Sequence, residues 1–252
     1  MTATFSLHDV TLGYDRHPAV QHLTGSFATG SLTAVVGPNG SGKSTLLKGL
    51  IGHLAPLDGR LERGGLHQSD IAYLPQQTEI DRSFPISVMD MVLLGYWRMI
   101  GLFRRVSRAQ REQAEEALHA VGLDNFGRRP IASLSAGQFQ RALFARMLLQ
   151  NCPVILLDEP FAAIDPRTSA DLLKVVVAWH SEGRTIVAVL HDLDQVHKSF
   201  PETLVIAREP VAWGATPETL CEEHLLQARQ MAGKWDDGAG VYRRGRHSVN
   251  MP

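Results

Sequence analysis

The chain is poor in cysteine, lacks a long apolar run and carries no excess of charge of either sign. Its two cysteines, Cys152 and Cys221, are far apart and show no metal-ligand spacing, which excludes a disulfide-stabilised scaffold, and we expect both to be buried apolar thiols. The formal net charge is −1 over 252 residues, so no overall basic field favours nucleic acid as a partner. The longest apolar stretch, 88–103, is about 16 residues long and contains Asp90 and Arg98, whereas a membrane-spanning helix needs about 20 almost uncharged residues.

Apolar runs and amphipathic segments alternate along the chain, and this alternation predicts an α/β fold with a mostly parallel sheet. Four runs are almost continuously apolar, as expected of strands that helices cover on both faces. These predicted strands are Leu32–Val36, Val154–Leu157, Thr185–Leu190 and Thr203–Ala207. The segment from Phe5 to Leu12 alternates more loosely, which indicates an antiparallel sheet at the N-terminal edge.

Start and stop signals mark four predicted helices. They run from Ser44 to Leu54, from Ser107 to Gly122, from Ser135 to about Gln150, and from Asp165 to about Gly183. From about residue 80 to 150 the chain contains helix signals and no convincing strand, which predicts a helical subdomain inserted into the α/β core. We therefore expect one domain over residues 1–233, with this subdomain inside it, and a loose C-terminal tail over 234–252.

The sequence from Gly37 to Ser44 reads Gly-Pro-Asn-Gly-Ser-Gly-Lys-Ser and lies between a predicted strand and a predicted helix. This is the pattern G-x-x-x-x-G-K-[ST] of a phosphate-binding loop in its usual context. Its glycines let backbone N–H groups approach phosphate oxygens, Lys43 supplies charge to the β- and γ-phosphates, and the Ser44 hydroxyl is a ligand for Mg²⁺. A chance glycine turn is the alternative, and the flanking strand and helix argue against it. The candidate phosphate-binding residues are Gly37, Pro38, Asn39, Gly40, Ser41, Gly42, Lys43, Ser44 and Thr45.

A second pattern ends the apolar run Val154–Leu157 with two carboxylates, Asp158 and Glu159. The carboxyl ends of parallel strands form the edge at which α/β folds bind ligands. Asp158 is a candidate Mg²⁺ ligand through water, and Glu159 is a candidate general base for an attacking water. Such a strand end is often only solvated, but the phosphate-loop pattern in the same chain favours the functional interpretation.

Between these two patterns lies the pentapeptide Leu134-Ser-Ala-Gly-Gln138. With it, the chain resembles the ATP-binding subunit of an ATP-binding-cassette (ABC) transporter over residues 5–226. The usual form of this signature is LSGGQ, so Ala136 replaces a glycine, which is tolerable where φ is negative. The resemblance implies a P-loop NTPase core with a parallel sheet, an N-terminal antiparallel edge sheet and an inserted helical subdomain. It also implies ATP and Mg²⁺ as ligands, with Ser135, Gly137 and Gln138 at the nucleotide.

Four further positions match the family one by one. Tyr14 resembles the aromatic residue that stacks on adenine, and Gln76 resembles the Q-loop glutamine that reaches Mg²⁺ and the attacking water. Asp165 resembles the D-loop aspartate and also suits a helix N-cap, while His191 resembles the switch histidine that contacts the γ-phosphate. An ordinary turn tyrosine, a surface glutamine and a structural histidine are the alternatives. The residues thereby assigned to catalysis are Glu159, His191 and Gln76, and those assigned to Mg²⁺ are Ser44, Gln76 and Asp158.

Each motif occurs once in the chain. In this family a nucleotide lies between the phosphate loop of one domain and the signature of another, so the resemblance implies half of a two-site dimer. The implied partners are a second copy of the chain, or a related chain, and a polytopic membrane permease subunit, with no nucleic acid. The implied location is the cytoplasmic face of the inner or plasma membrane.

The segments 84–95, 101–105 and 159–165 resemble ATPases of the zinc, manganese and iron import branch more than those for sugars, amino acids or drugs. The expected function is ATP-driven import of zinc or manganese, with an extracytoplasmic metal-binding protein as an indirect partner. The 11 histidines show neither H-x-H nor H-x-x-x-H spacing, so the sequence indicates no transition-metal site in the chain itself. The alternatives are import of another substrate such as an iron chelate, a soluble ABC ATPase in DNA repair or on the ribosome, and a regulatory module without turnover. Glu159 and His191 argue against the last.

The aromatic residues of the apolar stretch 88–103 have two interpretations. They are either part of the core of the helical subdomain or part of a surface that faces a coupling helix of the membrane partner. The residues concerned are Tyr96, Trp97 and Phe103.

Overall fold

The computed structural model describes residues 3–97 and 105–236, with side chains from residue 4 to 233 within those ranges. The chain divides into two compact units. Unit 1 comprises the described residues of Met1–Ala28, Thr33–Gly65 and His191–Pro252, and unit 2 comprises those of Thr29–Leu32 and Leu66–Leu190. No helix in the described ranges is long and apolar enough to cross a membrane.

Unit 1 begins with an antiparallel sheet in the order β2-β1-β4, in agreement with the edge sheet predicted at Phe5–Leu12. Its strands are β1 (Ala3–Tyr14), β2 (His17–Ala28) and β4 (Asp58–Glu62). A two-residue turn joins β1 to β2, with φ of 47° at Asp15 and 65° at Arg16. Positive φ at both central positions is typical of the tight hairpin turn that matches the twist of its strands.

Unit 1 also contains β3 (Leu32–Val36), β8 (Glu202–Ala207) and β9 (Glu209–Ala215). β3 and β8 are parallel, with Val35 opposite Leu204, and β9 pairs antiparallel with β8. All five residues of β3 are buried and none carries a charge, as expected of a strand covered on both faces. The unit's helices are α1 (Lys43–Ile51), α6 (Leu193–Ser199), α7 (Thr216–Thr219) and α8 (Glu222–Asp236).

Unit 2 contains three parallel strands in the order β5-β6-β7. They are β5 (Ile71–Leu74), β6 (Val154–Asp158) and β7 (Thr185–Val189), and both β6 and β7 are buried throughout. The unit's described helices are α2 (Val88–Leu93), α3 (Arg108–Ala120), α4 (Ala136–Gln150) and α5 (Pro166–Ser181). In its core, Phe144 stacks on Trp179 with ring centroids 5.5 Å apart.

Between β5 and β6 the described residues contain α2, α3 and α4, and no strand. Capping boxes start α3 at Ser107 and α4 at Ser135, as the sequence predicts. Tyr96 is buried and therefore belongs to the core, whereas Trp97 is 54% exposed. Phe103 and most of the predicted segment 101–105 lie outside the described residues.

Three expectations need correction. Helix α1 ends at Ile51 rather than Leu54, because Gly52 adopts a left-handed conformation and closes the helix by donating to the Gly49 carbonyl oxygen. Cys152 is buried, but Cys221, which we expected to be buried too, is only half-buried. Helix α8 continues to Asp236, three residues into the predicted tail, and the rest of that tail lies outside the described residues.

Candidate active site

The predicted phosphate loop connects β3 to α1 in unit 1, and two of its glycines are packed against backbone. A Cβ on Gly37 would overlap the Ile206 carbonyl oxygen, and one on Gly42, where φ is 93°, would overlap that of Ala19. A Cβ on Gly40, where φ is 74°, would meet nothing within 4 Å. Gly37 and Gly42 therefore permit a close approach of the backbone that a Cβ would prevent, whereas Gly40 permits a positive φ.

Lys43 is 6% exposed and lies within this loop. Its Nζ donates to the carbonyl oxygens of Gly37, at 2.9 Å, and Pro38, at 2.7 Å. The ammonium group is thus held among the backbone groups that would surround a phosphate chain. A buried lysine charge needs such polar partners, and a bound phosphate would supply a stronger one.

Two features of the loop fit an anion. The Ser41 hydroxyl is buried and has no hydrogen-bond partner among the described residues. Helix α1 has no side-chain cap at its N-terminus and no acidic residue in its first turn, so no carboxylate of that turn opposes an anion at the positive end of the helix. The N-terminal residues Lys43, Ser44 and Thr45 thus begin a helix whose positive end is available to phosphate.

Unit 1 also holds Tyr14 and His191. Tyr14 is the last residue of β1, next to the hairpin turn, and its side chain is 48% exposed. His191 is exposed and directly precedes Asp192, which caps α6 by accepting from the Gln195 backbone N–H at 3.0 Å. Both side chains are accessible to a ligand.

In unit 2, β6 ends at Asp158, whose side chain is 1% exposed and accepts from the Tyr73 hydroxyl at 3.4 Å. The next residue, Glu159, has φ of 50°, a left-handed conformation that costs energy for a residue with a Cβ. The Gln76 side chain donates to the Glu159 carboxylate at 2.8 Å. Gln76 and Glu159, two predicted site residues that are far apart in sequence, are therefore in contact. The left-handed turn at Glu159 sets the direction of its carboxylate.

The signature pentapeptide forms the start of α4. Ser135 is the N-cap, its hydroxyl accepting from the Gln138 N–H at 3.2 Å, while the Gln138 amide oxygen accepts from the Ser135 N–H at 3.1 Å. Ala136 is the first helical residue and has no positive φ, so its Cβ introduces no backbone strain. Ser135 and Gln138 thus bond to each other, not to Gln76 or Glu159.

Asp165 lies beside the signature. A Cβ on Gly137 would be 3.7 Å from its Oδ2, which is ordinary contact distance. Asp165 caps α5 by accepting from the Thr168 N–H at 2.9 Å, and hydrogen bonds from the Thr168 backbone and side chain hold the pKa of the Asp165 carboxyl below its usual range. Asp165 is therefore both the predicted helix cap and a neighbour of the signature.

Sequence analysis missed Gln77, Gln140 and Arg82, which connect these motifs. Gln140 is 1% exposed and is hydrogen-bonded to Gln77 and to the turn after Glu159. A signal was available, since Gln140 is a polar residue three and four positions before the buried Leu143 and Phe144 on one helix. No group of three or more His, Cys, Asp or Glu side chains in the described part of the chain is suited to hold a metal ion.

A family model described as ABC transporter matches residues 20–162, which span the phosphate loop, the signature and the two carboxylates. The chain belongs to the ABC transporter family. The ABC ATPase assignment confirms the predicted fold class and the prediction of an ATP-hydrolysing, nucleotide-binding subunit.

Relatives of this ABC ATPase match it over almost their whole length. It is 38% identical over 224 residues to the manganese transport system ATP-binding protein MntB of Listeria innocua, covering 87% of this chain and 93% of the relative. It is 37% identical over 237 residues to the manganese transport system ATP-binding protein MntA of Synechocystis, covering 89% and 91%. A probable metal transport system ATP-binding protein of Chlamydia trachomatis is 38% identical over 228 residues, covering 89% and 88%.

Solved structures resemble the ABC ATPase in fold. A transporter described as of the metal-chelate type, in an inward-facing conformation, aligns with a TM-score of 0.79 and 31% identity over 90% of this chain and 89% of the other. A dimeric bacterial ABC transporter cassette aligns with a TM-score of 0.74 and 24% identity over 84% of this chain and 98% of the other, which shows the shared fold alone.

Proposed function

We propose that this ABC ATPase powers a membrane importer for a divalent metal ion, with manganese as the first candidate. The observation that carries the proposal is that near-full-length relatives at 35–38% identity are named for manganese transport. The sequence resemblance left zinc and manganese open, and these names favour manganese.

In the proposed reaction, the phosphate loop binds the nucleotide. Its backbone N–H groups and the start of α1 donate to phosphate oxygens, and Lys43 exchanges its two loop carbonyls for the β- and γ-phosphates. The unpaired Ser41 hydroxyl supports this role, because phosphate would satisfy a buried polar group that the protein leaves unpaired. Tyr14 would stack on the base and His191 would contact the γ-phosphate.

Glu159 is the proposed general base. A water oxygen forms a bond to the γ-phosphorus, the bond from that phosphorus to the ADP oxygen breaks, and the water's proton passes to the Glu159 carboxylate. The Gln76 side chain supports this role because it donates to that carboxylate at 2.8 Å, and it would orient a water beside it. Mg²⁺, with Ser44, Asp158 and Gln76 as its proposed ligands, would neutralise the charge on the β- and γ-phosphate oxygens. The donor set fits, since it offers the oxygen ligands that Mg²⁺ prefers.

The proposed partners are a second copy of the chain and a polytopic permease, with a metal-capturing extracytoplasmic protein as an indirect partner. The second copy would contribute Ser135 and Gly137 of its signature to the nucleotide. Large apolar side chains near the helical region, Phe84 at 60% exposed and Trp97 at 54%, support a surface for the permease. This arrangement would hold the chain at the cytoplasmic face of the membrane.

The test is to tag the chain in its own cells, solubilise the membranes and identify the chains that co-purify. We expect a polytopic subunit, and the purified complex in vesicles should show ATP-dependent uptake of Mn²⁺. Parallel assays with Zn²⁺ and with a ferric chelate distinguish the substrates, and the Glu159→Gln complex is the control without turnover. Recovery with ribosomes or DNA and without any membrane subunit would contradict the proposal.

A further inference from the structure

Gln140 is a buried amide in the second turn of the signature helix α4, and both ends of its side chain are hydrogen-bonded. Its Oε1 accepts from Gln77 Nε2 at 2.7 Å, and its Nε2 donates to the Pro160 carbonyl oxygen at 2.7 Å. Gln77 also donates to the Ala136 carbonyl oxygen at 3.3 Å. Gln77 directly follows Gln76, and Pro160 directly follows Glu159. The Gln140 amide therefore connects Gln77 to Pro160, and these two residues directly follow the pair proposed to act on the attacking water.

These contacts form a second link between the same two segments. The first link is the direct bond from Gln76 to Glu159, and the second passes from Gln77 through Gln140 to Pro160. The second link adds to the direct bond and to the backbone bond from the Glu159 N–H to the Val189 carbonyl oxygen, and it holds the turn on the far side of Glu159. Glu159 needs this support because it is in a left-handed conformation that its surroundings must maintain.

The signature helix is part of the same connection. Arg82, from the segment that follows Gln77, donates to the Leu134 carbonyl oxygen and lies over the Phe139 ring, 4.7 Å from its centroid. The segment 77–82 thus contacts both sides of Ser135 in sequence. A displacement of the signature would therefore also displace Gln77 and, through Gln140, the turn that contains Glu159.

We propose that Gln77 and Gln140 are positioning residues for ATP hydrolysis, which hold Glu159 in its reactive orientation and tie that orientation to the placement of the signature. The proposal rests on the proposed function in one respect, the role of Glu159 as the base. The hydrogen bonds of Gln77 and Gln140 that carry the proposal lie within unit 2, whereas the proposed phosphate-binding residues belong to unit 1, so loss of either glutamine should affect turnover and leave nucleotide affinity intact.

The test compares Gln77→Leu, Gln140→Leu and the double variant with the wild-type chain. Gln150→Leu is the matched control, because Gln150 ends the same helix and its buried Oε1 has no partner among the described residues. For each protein we would measure kcat and KM for ATP, affinity for a fluorescent ATP analogue, and the thermal unfolding midpoint. Glu159→Gln is assayed alongside to test the base itself.

We expect both single variants to lose about tenfold to a hundredfold in kcat, the effect of a small misplacement of a catalytic group. KM and analogue affinity should stay within about twofold of wild type, since uniform binding is unaffected. The double variant should be no slower than the slower single variant, because both substitutions break one connection. Gln77 is half-buried, so Gln77→Leu gives a folded variant even if the fully buried Gln140 does not tolerate leucine.

Normal kcat in a folded Gln77→Leu variant, or an equal loss of affinity and turnover, would overturn the proposal. A Gln150→Leu variant with an equally low kcat would also overturn the proposal, because the loss would then come from a general disturbance of helix α4. If Glu159→Gln keeps its turnover, the proposed base is wrong and the positioning role is overturned with it. If Glu159→Gln is inactive and the glutamine variants are normal, only the positioning role is overturned.

Discussion

Lys43 supports the phosphate loop and supplies the positive charge of the motif, and a single substitution removes both roles. Its Nζ braces the phosphate loop through two carbonyl oxygens, and it is the only cation of the motif. Charge-assisted hydrogen bonds contribute about 1.5–3 kcal/mol each, so losing two weakens binding by about a hundredfold or more. We expect Lys43→Ala to lose measurable ATP affinity in a direct binding assay. Lys48→Ala, in the last turn of the same helix, is the control, and near-normal affinity of Lys43→Ala would refute the phosphate-loop assignment.

His191 is exposed and lies outside any regular element, so its side chain is accessible to a ligand. If it contacts the γ-phosphate, its main contribution comes in the transition state, where the charge on that group changes. His191→Ala should then retain ATP affinity within about threefold and lose at least about tenfold in kcat. His197→Ala, an exposed histidine of α6, should behave as wild type. Parallel losses of affinity and turnover in His191→Ala would point to a structural role instead.

Sequence analysis identified the candidate functional residues that belong to contiguous motifs. It missed the residues whose role depends on tertiary contacts. Lys43, Asp158 and Glu159 are recognisable because the chemistry of phosphate and Mg²⁺ dictates their spacing from a strand or a helix. Gln140 has no such local rule. A buried glutamine is explained only by its partners, and Gln77 and Pro160 come from segments about 60 and 20 residues away.

At the scale of elements, the chain offers two helices that begin in the same way. Ser107 caps α3 and Ser135 caps α4, each in a capping box with a glutamine three residues later. Replacing either serine by alanine should cost about 1 kcal/mol of stability, since both hydroxyls accept one backbone N–H. Only Ser135→Ala should also reduce ATP turnover, because only this serine is proposed to contact nucleotide. Equal unfolding shifts with equal turnover would show that Ser135 is a helix cap and nothing more.

The strands show why some elements were predictable and others were not. The predicted strands β3, β6, β7 and β8 are buried at nearly every position, so their sequences are continuous apolar runs. The four strands that sequence analysis did not identify, β2, β4, β5 and β9, all lie at sheet edges. β2 and β9 contain Pro18 and Pro210, and β4 has no fully buried residue. In β2, β4 and β9, proline or reduced apolar surface, both of which edge strands tolerate, removes the pattern that identifies a strand, whereas β5 is apolar and largely buried but only four residues long.

At the scale of the whole molecule, the single copy of each motif is the decisive feature. In the proposed arrangement each nucleotide site takes its two halves from different chains, so one copy of the chain cannot complete a site alone. The Glu159→Gln variant tests this, because it keeps the shape of the side chain and removes the base. ATP then stays bound and uncleaved, and a ligand that binds only the closed dimer shifts monomers towards it by mass action.

We therefore expect the Glu159→Gln protein to elute as a dimer in size-exclusion chromatography with Mg²⁺-ATP at high protein concentration, and as a monomer without nucleotide. Adding Ser135→Arg should return it to monomer, since bulk and charge would then occupy the exposed helix start at which we propose that the partner's nucleotide docks. Ser107→Arg makes the same change at the other capping box and should leave the dimer intact. The shared-site mechanism is wrong for this chain if Glu159→Gln stays monomeric with nucleotide. It is equally wrong if Ser135→Arg disrupts the dimer no more than Ser107→Arg does.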